Sequence, residues 1–200
     1  YSMKLVLATQ NPKKLKEMNE ILSHLGVEVV SEAELGVRIE VEETGETFTD
    51  NARLKATAVM QATGLPAVAD DSGLCVDALN GGPGVYSARF GGEGLDDKGR
   101  YTLLLEMLRG QTDRAAHFHT SIVCAFPNGD ELVCEGECPG TIAFAPMGEG
   151  GFGYDPVFFV PELRKTFGQL TAEEKASVSH RGKALRAFAA ALDDYLKGNE

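Results

Sequence analysis

Two adjacent carboxylates, Asp70 and Asp71, follow the apolar run Leu65-Pro66-Ala67-Val68-Ala69 and precede Ser72-Gly73. Ionised acids side by side at a strand end repel unless a cation or a donor sits with them. Hard carboxylate oxygens suit Mg²⁺, an ion that usually arrives with a phosphorylated substrate. A second acidic pair, Glu42-Glu43, lies in a polar loop ahead of a predicted helix. Together the two pairs can hold one divalent cation, with waters completing its shell. The simpler alternatives are a solvated loop for Glu42-Glu43 and turn-capping for the Asp pair.

Mg²⁺ chemistry calls for a phosphate-binding surface, and Thr9-Gln10-Asn11-Pro12-Lys13-Lys14 offers one. Asn11 followed by Pro12 reads as an N-cap with proline at the first helical position. A helix N-terminus favours acids in its first turn, yet this one carries two lysines, at about a few tenths of a kcal/mol each. An anion bound there removes that cost; otherwise the lysines are a solvated surface pair. The loop is not a Walker P-loop, since its glycines and the Gly-Lys-Ser/Thr ending are absent.

Two further groups suit a flat, polar ligand. In Gly150-Gly151-Phe152-Gly153-Tyr154-Asp155-Pro156, glycines flank an aromatic ring, so the backbone can approach a base and Phe152 can stack on it. An aromatic plug in a turn fits the same residues. Lys175, His180 and Arg181 are donors for a carbonyl or a phosphate, or ordinary surface residues. His117 and His119 face one side of a predicted strand, but no further Cys or His lies at useful spacing for zinc, which favours packing. Cys134-x3-Cys138 is read the same way.

These groups need elements to hold them. Lys4 to Ala8 reads as a strand, and Leu15, Met18, Leu22 and Leu25 keep helical spacing up to Gly26. Glu28 to Val30 is another short strand. Thr47 with Asp50 forms a capping-box start for a helix through Asn51, Lys55 and Met60 that Gly64 closes. Leu103 to Leu108 is helical. His117 to Phe126, a turn at 127–130, Glu131 to Cys134 and Thr141 to Ala145 read as antiparallel sheet, followed by Val157 to Val160. Thr171 to Glu174 is a full capping box, and a last helix carries Leu185, Phe188, Leu192 and Leu196. The mixture implies an α/β or α+β class with a mixed sheet.

Bulk properties narrow the choice. The 200 residues suit one domain with a real core, and 43% hydrophobic with 24% charged is ordinary for a soluble globular protein. A net charge of -11 argues against a nucleic-acid or anionic-membrane binder. No apolar run is long enough to span a bilayer, and Leu5 to Ala8 is too short for a signal-peptide core. Four cysteines without a Cys-x-x-Cys pair imply reduced, mostly buried thiols and a cytoplasmic location. Tyr1-Ser2 are read as an added remnant ahead of Met3, leaving 3–198 as a single domain.

In this order the motifs closely resemble the Ham1/RdgB family of inosine triphosphate pyrophosphatases. They are Thr9 to Lys14, Glu42-Glu43-Thr44-Gly45, Asn51 to Ala56, Ala69 to Gly73, Gly151 to Pro156 and Ser179-His180-Arg181-Gly182. They span nearly all of the chain from Met3 onward. Gln10 departs from the pattern, standing where many members carry glycine. The resemblance implies an ITPase-like (Maf/Ham1) fold, a long mixed β-sheet flanked by helices in two lobes with a central cleft. It also implies a homodimer and Mg²⁺-dependent hydrolysis of ITP, dITP and XTP to monophosphate and pyrophosphate, clearing deaminated purines from the nucleotide pool. Asp71 matches the family's proton acceptor and metal ligand, with Glu42 as the expected second ligand and Glu43 its rival. Lys55 joins Asp71 as catalytic. Asn11, Lys14, Lys55 and Ser72 would hold the phosphates, with Thr9, Gln10, Pro12 and Lys13 as further substrate-binding residues, and Lys175 would add positive charge. Phe152, with Gly153 and Tyr154, would take the purine, and Asp155, His180 and Arg181 would read its edge. The alternatives are a Maf-type pyrophosphatase with another base preference, or a catalytically silent nucleotide-binding protein.

Overall fold

A computed structural model describes residues 3–199; the reading of Tyr1-Ser2 lies outside the described residues. The strands are β1 (Met3–Leu7), β2 (Val27–Ser31), β3 (Ala67–Val76), β4 (Gly82–Pro83), β5 (Ala115–Ala125), β6 (Glu131–Ile142), β7 (Phe158–Val160) and β8 (Lys165–Thr166). The helices are α1 (Pro12–Leu22), α2 (Phe48–Thr63), α3 (Asp97–Met107), α4 (Ala172–Val178) and α5 (His180–Gly198). The strands form one mixed sheet in the order β2-β1-β3-β5-β6-β7-β8, with β4 beside β3. β1 pairs in parallel with β2 and β3, while β6, β7 and β8 run antiparallel. The α/β class with a mixed sheet expected from the sequence is the class observed.

Contacts divide the chain into two compact units. The first comprises Tyr1–Asp71, Thr120–Gly136 and Lys183–Glu200, the second Ser72–His119 and Glu137–Gly182. In the first unit, alternation along the strands sorts side chains to two faces. Leu5, Leu7, Val29 and Val68 pack with Met18 and Leu22 of α1 and with Leu185, Phe188 and Leu192 of α5. Val6, Val30 and Ala67 turn the other way, onto Val59 of α2, and Ala69 meets Ala52 and Ala56 of the same helix. The core of the second unit gathers Leu74, Val76, Leu104, Phe118, Phe158 and Phe167, among others.

Helix starts follow the expected chemistry. The Asn11 side chain accepts from Lys13 N–H, Thr47 accepts from Asp50 N–H, and Thr171 with Glu174 closes a full capping box. Gly64 ends α2 in the left-handed region at φ 71°. Two readings are corrected. Asp70 and Asp71 do not follow a strand; β3 runs through them to Val76. Glu131 to Cys134 and Thr141 to Ala145 are not separate strands but parts of one β6 that ends at Ile142. All four cysteines are free thiols, three of them buried. Among the described residues no helix is long and apolar enough to cross a membrane.

Candidate active site

Because successive residues of a strand face opposite ways, Asp70 and Asp71 share no side of the sheet. Asp70 follows Val68 toward α1, where Lys14 Nζ reaches its carboxylate at 3.2 Å. Asp71 follows Ala69 toward α2. The small residues Ala52, Ala56 and Ala69 let that helix approach β3 closely. The approach brings in Asn51 and, one turn later, Lys55. Asn51 is 0% exposed and bridges two groups, its Nδ2 donating to Asp71 Oδ2 at 3.1 Å and its Oδ1 accepting from Gly45 N–H at 2.8 Å. Lys55 Nζ donates to the Asp70 carbonyl at 2.6 Å and pairs with Glu43 at 3.0 Å.

The acid pair is therefore resolved by position: each carboxylate has its own partners. Burial pushes the Asp71 carboxyl up to about 6, with the Glu43 and Asp70 charges adding to the rise and Lys55 and Asn51 opposing it. Glu43 is thus the glutamate in the field of Asp71. Glu42 is exposed and points to no partner among the described contacts. Glu43 and Asp71 together offer carboxylate oxygens of the kind Mg²⁺ takes. A divalent cation also relieves their mutual repulsion and the burial of Asp71 charge, so the donor set fits that ion.

In the loop before α1, Thr9 Oγ1 accepts from Asn11 N–H at 3.2 Å, and Gln10 through Lys13 are exposed. The first turn holds no acid, and Pro12 and Lys13 stand clear at its end. Beside the loop is a cavity of about 230 Å³ lined by Thr9, Gln10, Glu32, Ile39, Val41 and Lys55, among others. Buried Glu32 accepts from Gln10 Nε2 at 3.4 Å and from Ile39 N–H at 3.2 Å. It ties the loop holding Gln10 to the segment that leads to Glu43.

The second unit carries the aromatic and base-reading candidates. Gly151 adopts φ 73°, and a Cβ there would lie 2.0 Å from Asp155 Oδ2, so only glycine fits. The same oxygen accepts from Phe152 N–H at 3.0 Å and from Lys175 Nζ at 2.6 Å. Lys175 Nζ in turn stands 4.4 Å from the centre of the Phe152 ring, which is 73% exposed. Asp155 itself is buried; burial raises its pKa, and Lys175 opposes the rise. Gly153 N–H donates to Asp97 at 3.0 Å, and the Tyr154 hydroxyl is buried against the Ser87 carbonyl at 2.7 Å. His180 opens α5 with its ring stacked on Phe118, centroids 4.7 Å apart, and Arg181 follows it. Ser72 is exposed.

The fold thus joins Lys14 with Asp70; Lys55 with Glu43 and Asp71; and Phe152 with Asp155 and Lys175. It sets Glu42 and Lys13 out in solvent and turns Tyr154 into the core. Asn51, Glu32, Asp97 and Ser87 carried no role in the sequence reading. A polar residue beside two alanines on an inward helix face marks Asn51, whereas Glu32 meets Gln10 across 22 residues and leaves no local sign.

The chain as a whole matches known proteins. The Ham1 family model matches residues 5–191. A dITP/XTP pyrophosphatase of Exiguobacterium sp. is 50% identical over 98% of this chain and 100% of its own length. One from Thermus thermophilus is 53% identical over 96% of this chain and 93% of its own. A solved HAM1 protein from Coxiella burnetii superposes with a TM-score of 0.92 at 43% identity, covering 96% of this chain and 99% of that one. The chain belongs to the Ham1 family.

Proposed function

We propose that this protein is a Mg²⁺-dependent nucleoside triphosphate pyrophosphatase that hydrolyses ITP, dITP and XTP to the monophosphate and pyrophosphate. The relatives that match it over nearly their whole length carry the name dITP/XTP pyrophosphatase. The observation that carries the chemistry is Asp71, a half-buried carboxylate poised near 6 between Asn51 and the Lys55–Glu43 pair. A general base works best when its pKa lies near the working pH.

Asp71 and Glu43 would hold the Mg²⁺ ion, which supplies positive charge to phosphate oxygens and makes bound water more acidic. Asn51 holds Asp71 Oδ2, and Asp71 takes the proton of the attacking water. Lys55 and Lys14 supply fixed positive charge, and the acid-free start of α1 adds the positive end of the helix dipole. Negative charge gathers on those oxygens in the transition state, so fixed cations stabilise it more than the ground state. Phe152 offers its exposed face to the purine, while Asp155 holds both the Phe152 backbone and Lys175 in place. His180 and Arg181 are the donors for the base edge. Hypoxanthine and xanthine present an acceptor O6 and a donor N1–H; adenine reverses both and leaves the site's polar groups unpaired, a mismatch worth about 10⁴ in rate at favourable sites.

The family resemblance supports a homodimer acting on the cytoplasmic nucleotide pool, which light scattering on the purified protein tests. The hydrolysis itself is tested by pyrophosphate release from dITP with Mg²⁺. Wild type should turn over and Asp71→Asn should not; near-normal turnover of the variant removes Asp71 as the base.

A further inference from the structure

The histidine pair that lacked a third ligand in the sequence acquires one in the fold. His117 and His119 lie two apart on β5, on the face opposite Phe118, whose ring is in the core of the second unit. Glu137 on the neighbouring strand β6 comes to both. His119 Nδ1 lies 2.9 Å from Glu137 Oε1, and His117 Nε2 lies 3.9 Å from the same oxygen. The three residues offer ligand atoms that all lie within 4.8 Å of one another.

We propose that His117, His119 and Glu137 form a binding site for a divalent transition-metal ion of the zinc class, sharing no residue with the candidate active site. With two of the separations at 2.9 and 3.9 Å and none above 4.8 Å, a single point lies within ~2.4 Å of all three atoms. Zinc bonds to imidazole nitrogen and carboxylate oxygen run about 2.0–2.2 Å, so each ligand atom needs to close in by only a few tenths of an ångström. Two imidazoles and one carboxylate suit Zn²⁺, Co²⁺, Ni²⁺ and Cu²⁺ and select against Mg²⁺, which prefers an all-oxygen set. Three protein ligands leave a position for water or an exogenous ligand. Two strands hold the set, so strand geometry preorganises it. Cys75, whose thiol pKa is raised by burial and then by the Glu137 charge, lies outside the group.

The competing account is an ion pair in which Glu137 serves two histidines and no metal binds. Titration of the full chain with Co²⁺ at pH 7.5, read by visible absorption and by displacement with Zn²⁺, separates the two. One equivalent is expected to bind. His117→Ala and Glu137→Gln each change a side chain that is at least one-third exposed, at 34% and 57%, and unmetallated thermal unfolding checks their folding. Each should weaken binding at least tenfold, while Asp71→Asn leaves it intact. Absence of binding, equal binding in His117→Ala and Glu137→Gln, or loss confined to Asp71→Asn would each overturn the proposal, the last by putting the ion at Asp71 and Glu43.

Discussion

Replacing Asp71 with asparagine should stop catalysis and stabilise the protein. Its carboxyl is raised from 3.8 to about 6, chiefly by burial. At 1.36 kcal/mol for each pH unit, holding it ionised costs ~3 kcal/mol. The side chain is partly exposed, and solvent screening leaves ~1–2 kcal/mol. The sign follows from linkage. The folded pKa lies above the unfolded one, so the folded state holds the proton more tightly between about 4 and 6. Stability is therefore lost as pH rises through that window, and the loss is complete above about 6. Asparagine keeps the shape and an acceptor for Asn51 but cannot ionise. At pH 7.5 in EDTA, Asp71→Asn should unfold ~2–8 °C higher than wild type, using about 2–4 °C per kcal/mol for a protein of this size. At pH 4 the gap should close. Thermal unfolding followed by circular dichroism at both pH values, with pyrophosphate release assayed in parallel, reads both effects. A gap that is absent, or that persists unchanged at pH 4, refutes the burial argument for Asp71.

Other variants probe the supporting residues. Asn51→Ala leaves the Asp71 carboxylate and the Gly45 N–H without their shared partner in a fully buried position, at ~2–3 kcal/mol of stability, and should lower kcat more than KM; unchanged kinetics would deny it a part in holding Asp71. Phe152→Ala removes a ring that is 73% exposed and should raise KM for dITP several-fold while moving Tm by no more than ~1 °C; an unchanged KM rules out base stacking. Glu43→Gln should raise the Mg²⁺ concentration needed for half-maximal rate well above that for Glu42→Gln. The reverse ranking would return the second ligand role to Glu42.

What was legible in the sequence was what short-range chemistry decides. Asn11, Thr47 and Thr171 announce helix starts because a side-chain oxygen within three residues closes the cap. Asp-Asp-Ser-Gly is poor strand sequence, which reads as a stop after the apolar run. The strand continues because β5 lies next to β3 in the sheet and β4 pairs with its end at Cys75 and Val76, where neighbouring ladders override propensity. β6 likewise runs unbroken through Pro139 and Gly140. Gly140 lets the strands come close, since a Cβ there would lie 2.5 Å from the Phe159 carbonyl. The choice between Glu42 and Glu43 rests on which way a loop residue turns, and adjacent identical residues carry no sign of it. Glu137 joins His119 across 18 residues by strand register, a distance that local spacing rules do not reach.

The products show which phosphate bond the enzyme cuts and which base it prefers. With Mg²⁺ at neutral pH, chromatography of a reaction on dITP should show dIMP and pyrophosphate in equal amounts. dATP and dTTP should turn over orders of magnitude more slowly. Release of inorganic phosphate with dIDP instead, or a preference for pyrimidine triphosphates, would contradict the account.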